Sequence, residues 1–267
     1  MFDDYLARWA LTLDGDPIVT RNSRLLPVRR QGVPAMLKIA VEPEEKVGSR
    51  LMTWWDGDGA ARVLAHAVEA ILLERAESGI GLAELARSGR DDEATRIICA
   101  VVAKLHAPRD KPLPDLVPLG LWFEALEPAA ADHGGILSVA AGTARDLLTE
   151  PREVGVLHGD IHHDNILWFG NRGWLAIDPK GLIGERCFDY ANLFCNPDLR
   201  TATAPNRFVR RVEVVAKAAR LDRTRLLQWV LAWAGLSSAW LLNEGLSPEP
   251  PIKVAELALV ELNRGQL

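Results

Sequence analysis

Hydrophobic and polar positions change rhythm near residue 80. Before that point, short apolar pieces alternate with turn formers. Residues 17–20 and 35–40 read as strands, and Gln31-Gly32-Val33-Pro34 reads as the hairpin turn leading into the second. The acidic segment 42–45 opens a helix expected to run through Trp54, because carboxylates suit the positive end of a helix dipole. Residues 70–73 form a further strand, followed by Glu74-Arg75-Ala76 and Gly79. From Gly81 the period becomes helical: Ala94, Ile97, Val101 and Leu105 keep one face apolar, and Ala107-Pro108 ends that run. Residues 111–118 are proline-rich and read as a surface loop. Between Pro151 and Asp178 two short strand-like pieces flank a polar loop. Beyond Asp189 the pattern is helical almost throughout, broken at Pro205 and by Pro248-Glu249-Pro250-Pro251. This order predicts an α+β protein of two lobes: a small β-rich N-lobe over residues 1–76 and a larger, mainly helical C-lobe over 77–267.

One helical stretch tests that reading. Residues 226–243 carry no charge and approach the length of a membrane span. Gln228, Gly235, Ser237, Ser238 and Asn243 dilute the run, and a helix apolar all round also suits the centre of a large lobe. A core helix is expected, and no membrane partner. Trp54, Trp229 and Trp233 fall at spacings that suit packing, whereas Trp240 is a candidate wall for a substrate cleft. The chain holds 31 basic and 36 acidic residues, a net charge of −5. Such a balance disfavours a non-specific nucleic-acid binder, which needs a cationic surplus, and is compatible with a cationic substrate. Cys99, Cys187 and Cys195 are odd in number and lack CxxC spacing, so neither a disulfide framework nor a zinc site is expected. Met-Phe-Asp-Asp-Tyr at the start has acids where a signal peptide has bases. A cytoplasmic protein with reduced thiols is expected.

The stretch richest in chemistry is Val156-Leu157-His158-Gly159-Asp160-Ile161-His162-His163-Asp164-Asn165-Ile166-Leu167, followed by Trp174-Leu175-Ala176-Ile177-Asp178-Pro179. It is a tight loop between apolar flanks, with more polar residues than a turn requires. Asp160 and Asn165 are five apart, and Asp178 ends the next apolar run. That spacing brings one carboxylate to a nucleophile and an amide plus a second carboxylate to magnesium, the roles of a kinase catalytic loop and its later metal-binding acid. Hard oxygen donors suit magnesium. A transition-metal hydrolase is disfavoured, because the adjacent His162 and His163 point different ways and His66, His106 and His133 are isolated.

His-Gly-Asp-Ile-His-His-Asp-Asn followed by Ile-Asp-Pro resembles the aminoglycoside phosphotransferase (choline kinase-like) superfamily. Residues 175–192, together with Leu51-Met52-Thr53-Trp54-Trp55-Asp56-Gly57 and Leu236-Ser237-Ser238-Ala239-Trp240, resemble its streptomycin 6-kinase branch. The resemblance runs from about residue 5 to the end of the sequence. It implies a protein-kinase-like fold with Asp160 as the catalytic carboxylate and Asn165 and Asp178 on Mg2+. It also implies Lys38 on the α- and β-phosphates, Glu45 paired with that lysine, Ser23 in the loop over the phosphates, and Glu74 to Ala76 as the adenine-reading hinge. Asp189 matches an acid that steadies the catalytic loop. The implied reaction transfers phosphate from ATP, with GTP left open, to the 6-hydroxyl of the streptidine ring of streptomycin. A polycationic acceptor should meet carboxylates, and Asp198 and Glu244 are the candidates nearest the expected cleft. Two departures stand out. Arg21-Asn22-Ser23-Arg24 replaces a glycine-rich phosphate loop, and His-Gly-Asp replaces His-Arg-Asp, which removes the arginine that receives an activation-loop phosphate. The second departure favours a constitutively competent small-molecule kinase. Two alternatives stay open: an acceptor that is a sugar, amino alcohol or metabolite, and a catalytically silent nucleotide-binding protein. The sequence does not specify oligomeric state.

Overall fold

The computed structural model describes residues 2–20, 23–79 and 81–265. After a short helix α1 (Asp3–Arg8), the chain builds an antiparallel sheet from β1 (Leu11–Leu13), β2 (Ile18–Val19), β3 (Ser23–Arg30), β4 (Val33–Ala40), β5 (Val63–His66) and β6 (Ala70–Glu74). The order is β1-β3-β4-β6-β5, with β2 also on β3. Strand β3 was not legible in the apolar pattern, because arginines and Pro27 interrupt it. Pro27 is tolerated because the Asp14 N–H donates to its carbonyl (3.0 Å), so its missing donor faces the gap between β1 and β2. The β3–β4 turn is two residues long, Gln31 and Gly32, both at positive φ (51° and 80°), and β4 begins at Val33, earlier than expected. Helix α2 (Pro43–Trp55) follows β4 and crosses one face of the sheet.

Alternation along the strands separates two cores. Ile71 and Leu73 face α2 and join the main core, while Ala70 and Leu72 join a smaller cluster with Leu26, Val28, Ala35 and Leu37 under α1. The main core continues without interruption from α2 into the C-terminal helices. After residues 75–79 come α3 (Leu82–Arg87) and α4 (Asp91–Leu105). Then come β7 (Val117–Pro118), α5 (Leu119–Trp122), α6 (Leu126–His133), α7 (Ile136–Thr149), β8 (Val154–Leu157), β9 (Ile166–Trp168), β10 (Trp174–Ala176) and β11 (Leu182–Glu185). Beyond β11 come two 3-10 turns, Arg186–Tyr190 and Asn192–Cys195, the second standing where helix was expected after Asp189, and then α8 (Leu199–Ala202), α9 (Pro205–Ala219), α10 (Arg223–Asn243) and α11 (Glu249–Arg264). The uncharged stretch is α10, packed between α7 and α11 with Leu226 to Gly235 buried except Gln228. Among the described residues, no helix is long and apolar enough to cross a membrane.

Candidate active site

Strand β8 delivers the chain into a sharp turn. Gly159 has φ +86°, and a Cβ there would strike the Leu182 side chain. The turn is gripped by the buried Asp189: its Oδ2 accepts the His158 N–H (2.9 Å), its Oδ1 accepts the Gly159 N–H (2.7 Å), and His106 Nε2 lies 2.7 Å from Oδ2. The His158 ring closes the loop from inside. Its Nδ1 accepts the Asp160 N–H (3.2 Å) and its Nε2 donates to the Ile177 carbonyl (2.8 Å). Burial pushes its pKa below the ordinary histidine value, which agrees with a neutral ring protonated on Nε2.

The carboxylate of Asp160 is held on both oxygens. Asn165 Nδ2 donates to Oδ2 (3.2 Å) and to the Asp160 carbonyl (2.9 Å), and Asn192 Nδ2 donates to Oδ1 (2.8 Å). Asn192 is itself fixed, because its Oδ1 accepts from Trp233 Nε1 (3.2 Å) and Asn196 Nδ2 (3.1 Å). The hairpin β9–β10 then returns the chain alongside. The Ile177 N–H donates to the Asn165 carbonyl (2.9 Å), and the Lys180 N–H donates to the His158 carbonyl (2.7 Å). Asp178, between these ties, adopts left-handed backbone (φ 58°), which aspartate tolerates better than most residues.

A second group meets this one from the sheet side. Because β4 ends at Ala40 and α2 starts at Pro43, the chain reverses at once and Glu45 comes back beside Lys38. Lys38 Nζ pairs with Glu45 Oε2 and with Asp178 Oδ1 (2.8 Å). Ser23 Oγ donates to the same Glu45 oxygen (3.2 Å), and Lys180 Nζ pairs with Glu45 Oε1 (3.0 Å). Burial works to raise the Glu45 pKa, yet the two lysines hold it below the usual value. Lys180 is the mirror case: burial opposes its charge, and Glu45 and Asp160 keep its pKa raised.

The structure thus joins Ser23, Lys38, Glu45 and Asp178 by direct contacts and sets Asp160 and Asn165 next to them. Ser23 opens β3 with its hydroxyl committed to Glu45, instead of lying in an open loop; Arg21 and Asn22 fall outside the described residues. Glu74 ends β6, where its carboxylate accepts the Arg62 N–H (2.5 Å) and pairs with Arg172. Ala76 lies half-buried against the main core. Asp198 stands apart and is engaged on both oxygens: Oδ1 caps α8 through the Thr201 N–H (2.9 Å) and Oδ2 pairs with Arg87 (2.8 Å), which holds its pKa down at about 2. Its carboxylate is therefore not held ready for a cationic acceptor. Glu244 is exposed at the C-terminal end of α10.

Residues 8–245 match the family described as "Aminoglycoside/hydroxyurea antibiotic resistance kinase". The chain belongs to that family. It is 53% identical over 245 residues to a streptomycin 3''-kinase from Klebsiella pneumoniae, covering 90% of this chain and 92% of that protein. It is 32% identical over 262 residues to a streptomycin 6-kinase from Streptomyces griseus, covering 93% and 84%. Among solved structures, an aminoglycoside phosphotransferase in ternary complex with ADP and hygromycin B superimposes with a TM-score of 0.63 at 11% identity, over 96% of this chain and 97% of that one. The fold is accordingly the two-lobed kinase-like α+β fold, and the protein is a nucleotide-using phosphotransferase.

In this kinase the site's chemistry follows from its donors. Asp178 and the amide oxygen of Asn165 are hard oxygen groups, a set that fits magnesium. Two features escaped the sequence reading. Lys180 stood in the Asp-Pro-Lys-Gly run and Asn192 in Asp-Tyr-Ala-Asn, but neither spacing reveals a partner that only the tertiary fold supplies. Trp240 packs edge-on against Trp122 (5.5 Å between ring centroids) and Trp233 (5.3 Å), and Trp233 is linked through Asn192 to Asp160.

Proposed function

We propose that this kinase transfers the γ-phosphoryl group of ATP, bound with magnesium between a lobe of residues 1–76 and a lobe of 77–267, to a hydroxyl of streptomycin. The observation that carries the reading is the grip on Asp160: two amides fix its carboxylate, and two backbone hydrogen bonds lace its loop to the segment bearing Asp178. Asp160 orients the acceptor hydroxyl and takes its proton as the new O–P bond forms and the bridge to the β-phosphate breaks. Phosphoryl transfer asks for such positioning more than for covalent chemistry. Asn165 and Asp178 supply oxygen donors for magnesium, which neutralises phosphate charge when bound. Lys38, steadied by Glu45, contacts the α- and β-phosphates, with Ser23 behind the pair and the backbone of Glu74 to Ala76 bordering the adenine. GTP stays open as an alternative phosphoryl donor. The reading places the enzyme in the cytoplasm, where nucleoside triphosphate is supplied.

The acceptor position is the finer question. Sequence blocks suggested the 6-hydroxyl, but the 3''-kinase relative at 53% identity outweighs the 6-kinase at 32%, and this favours the 3''-hydroxyl. The test is thermal stabilisation by nucleotide and magnesium with individual aminoglycosides and hydroxyurea, then coupled ADP release on the responders. Phosphorus–proton NMR of the product identifies the modified hydroxyl. Streptomycin-dependent ADP release with a 3''-phosphate is expected. Nucleotide binding without turnover on any acceptor would leave the silent reading standing, and turnover only on a sugar or amino alcohol would transfer the activity to that acceptor.

A further inference from the structure

Glu45 serves two lysines, and only one of them has a role so far. Lys38 already neutralises Glu45 and is shared with Asp178. Lys180 reaches the other oxygen of Glu45 with a side chain only 14% exposed. A buried ammonium is costly to desolvate, and because Lys38 is divided between Glu45 and Asp178, Lys180 balances the acidic charge that remains. Oxygen donors drawn onto a bound magnesium would release part of that balance, leaving Lys180 with positive charge to direct at a phosphate.

Its position says what the charge faces. The Lys180 N–H is bonded to the His158 carbonyl at 2.7 Å, and a Cβ on Gly159 would sit 3.1 Å from the Lys180 Cβ. The residue thus rises from beside the loop that carries Asp160, two positions beyond Asp178. Lys38 instead comes from the sheet. Two close approaches hold the geometry: a Cβ at Gly48 of α2 would run into the Pro179 carbonyl, and one at Gly181 would meet the Val47 side chain. Helix α2 and the Asp178–Gly181 segment are packed backbone to backbone, which places Glu45 between the two ammonium groups. An ammonium has three donors, so contact with Glu45 leaves Lys180 able to bind a second anion.

We infer that Lys180 contacts the transferred phosphoryl group through Nζ, so that Glu45 divides two lysines between the fixed phosphates, held by Lys38, and the departing one. The inference rests on the kinase reading above. Charge on the transferred group's oxygens is where a preorganised cation stabilises phosphoryl transfer. Lys180 stands on the Asp160 side, where the acceptor oxygen must meet that group.

The experiment is a calorimetric titration of the full chain, with magnesium, against ADP and against a non-hydrolysable ATP analogue that retains the third phosphate. Lys180→Met is expected to lose about 10- to 100-fold in affinity for the analogue, the scale of one charge-assisted hydrogen bond, with ADP affinity within about twofold of wild type. Lys38→Met should weaken both nucleotides. Lys180→Gln, which keeps a donor for Glu45 without the charge, is the second variant should the methionine form fail to fold, and melting curves report on that. Equal losses for the two nucleotides, or no loss for either, would overturn the role of Lys180 while leaving the kinase reading intact. A wild-type chain that binds neither nucleotide would overturn the kinase reading and this inference together.

Discussion

The Asp160 carboxylate is held by two amides, Asn165 from its own loop and Asn192 from the turn after Asp189. On the proposed mechanism, replacing the carboxylate by an amide removes the proton acceptor but little volume. Asp160→Asn should lower turnover by about 10²–10⁴-fold, with melting temperature and nucleotide titration close to wild type; comparable turnover in the two proteins would remove Asp160 from its role. Asn192→Ala frees one carboxylate oxygen and strips the Trp233 indole of an acceptor. Loss of one hydrogen bond to a charged group is worth about 1.5–3 kcal/mol, so kcat should fall roughly 10- to 100-fold while ADP affinity holds. These two residues also mark the limit of reading chemistry from sequence. Asp160, Asn165 and Asp178 were legible because a local loop and hairpin bring them together, and local spacing survives in the sequence. Asn192 is 32 positions from Asp160 and meets it only when the C-terminal helices are in place. Asp198 is ambiguous in sequence for the opposite reason: an aspartate before a helix is as well suited to capping it as to binding a cation, and here it caps α8.

At the scale of elements, α2 is set against the Asp178 segment with no room for a side chain at Gly48. Alanine in place of a mid-helix glycine ordinarily stabilises by about 0.5–1 kcal/mol. At Gly48 the sign should reverse, with a loss of about 1–3 kcal/mol from overpacking, a lower melting temperature and weaker nucleotide binding. A second joint lies at the start of α4. Asp91 is buried with Arg211 (2.7 Å) and Arg207 (3.0 Å) of α9. Burial alone would raise its pKa, but the arginines, Arg211 foremost, hold it below the usual aspartate value. Asp91→Ala leaves Arg211 buried without its counter-charge and should cost about 3–5 kcal/mol in denaturant unfolding. Because the folded carboxylate titrates lower than the unfolded one, the pair's contribution is complete above about pH 4 and is lost as acid protonates the folded form. Element types followed the apolar rhythm where it was clean, as in β4, β6, α2 and α10. The rhythm failed at β3, whose arginines point to solvent-accessible partners such as Asp14 and the Leu64 carbonyl, and at the 3-10 turns after β11.

Across the whole molecule, two lobes share one principal core. Trp55, Ile71 and Leu73 from the sheet side belong to the same buried cluster as Leu105, Leu157 and Trp229. Calorimetric unfolding should accordingly show one transition with matching calorimetric and van't Hoff enthalpies; two resolved peaks would show lobes that melt separately. The two-lobe division was readable because a β-rich rhythm gives way to a helical one, but the continuity of the core was not, since it depends on which faces meet. The chain between Asp178 and Asp189 has its own consequence. It is occupied by the Pro179–Lys180 contacts, strand β11 paired on both edges with β7 and β8, and a 3-10 turn. Nothing of the length that other kinases fold and unfold as a covalently controlled gate fits between those two acids. Treatment of the purified chain with a protein kinase or a phosphatase should accordingly leave its turnover unchanged.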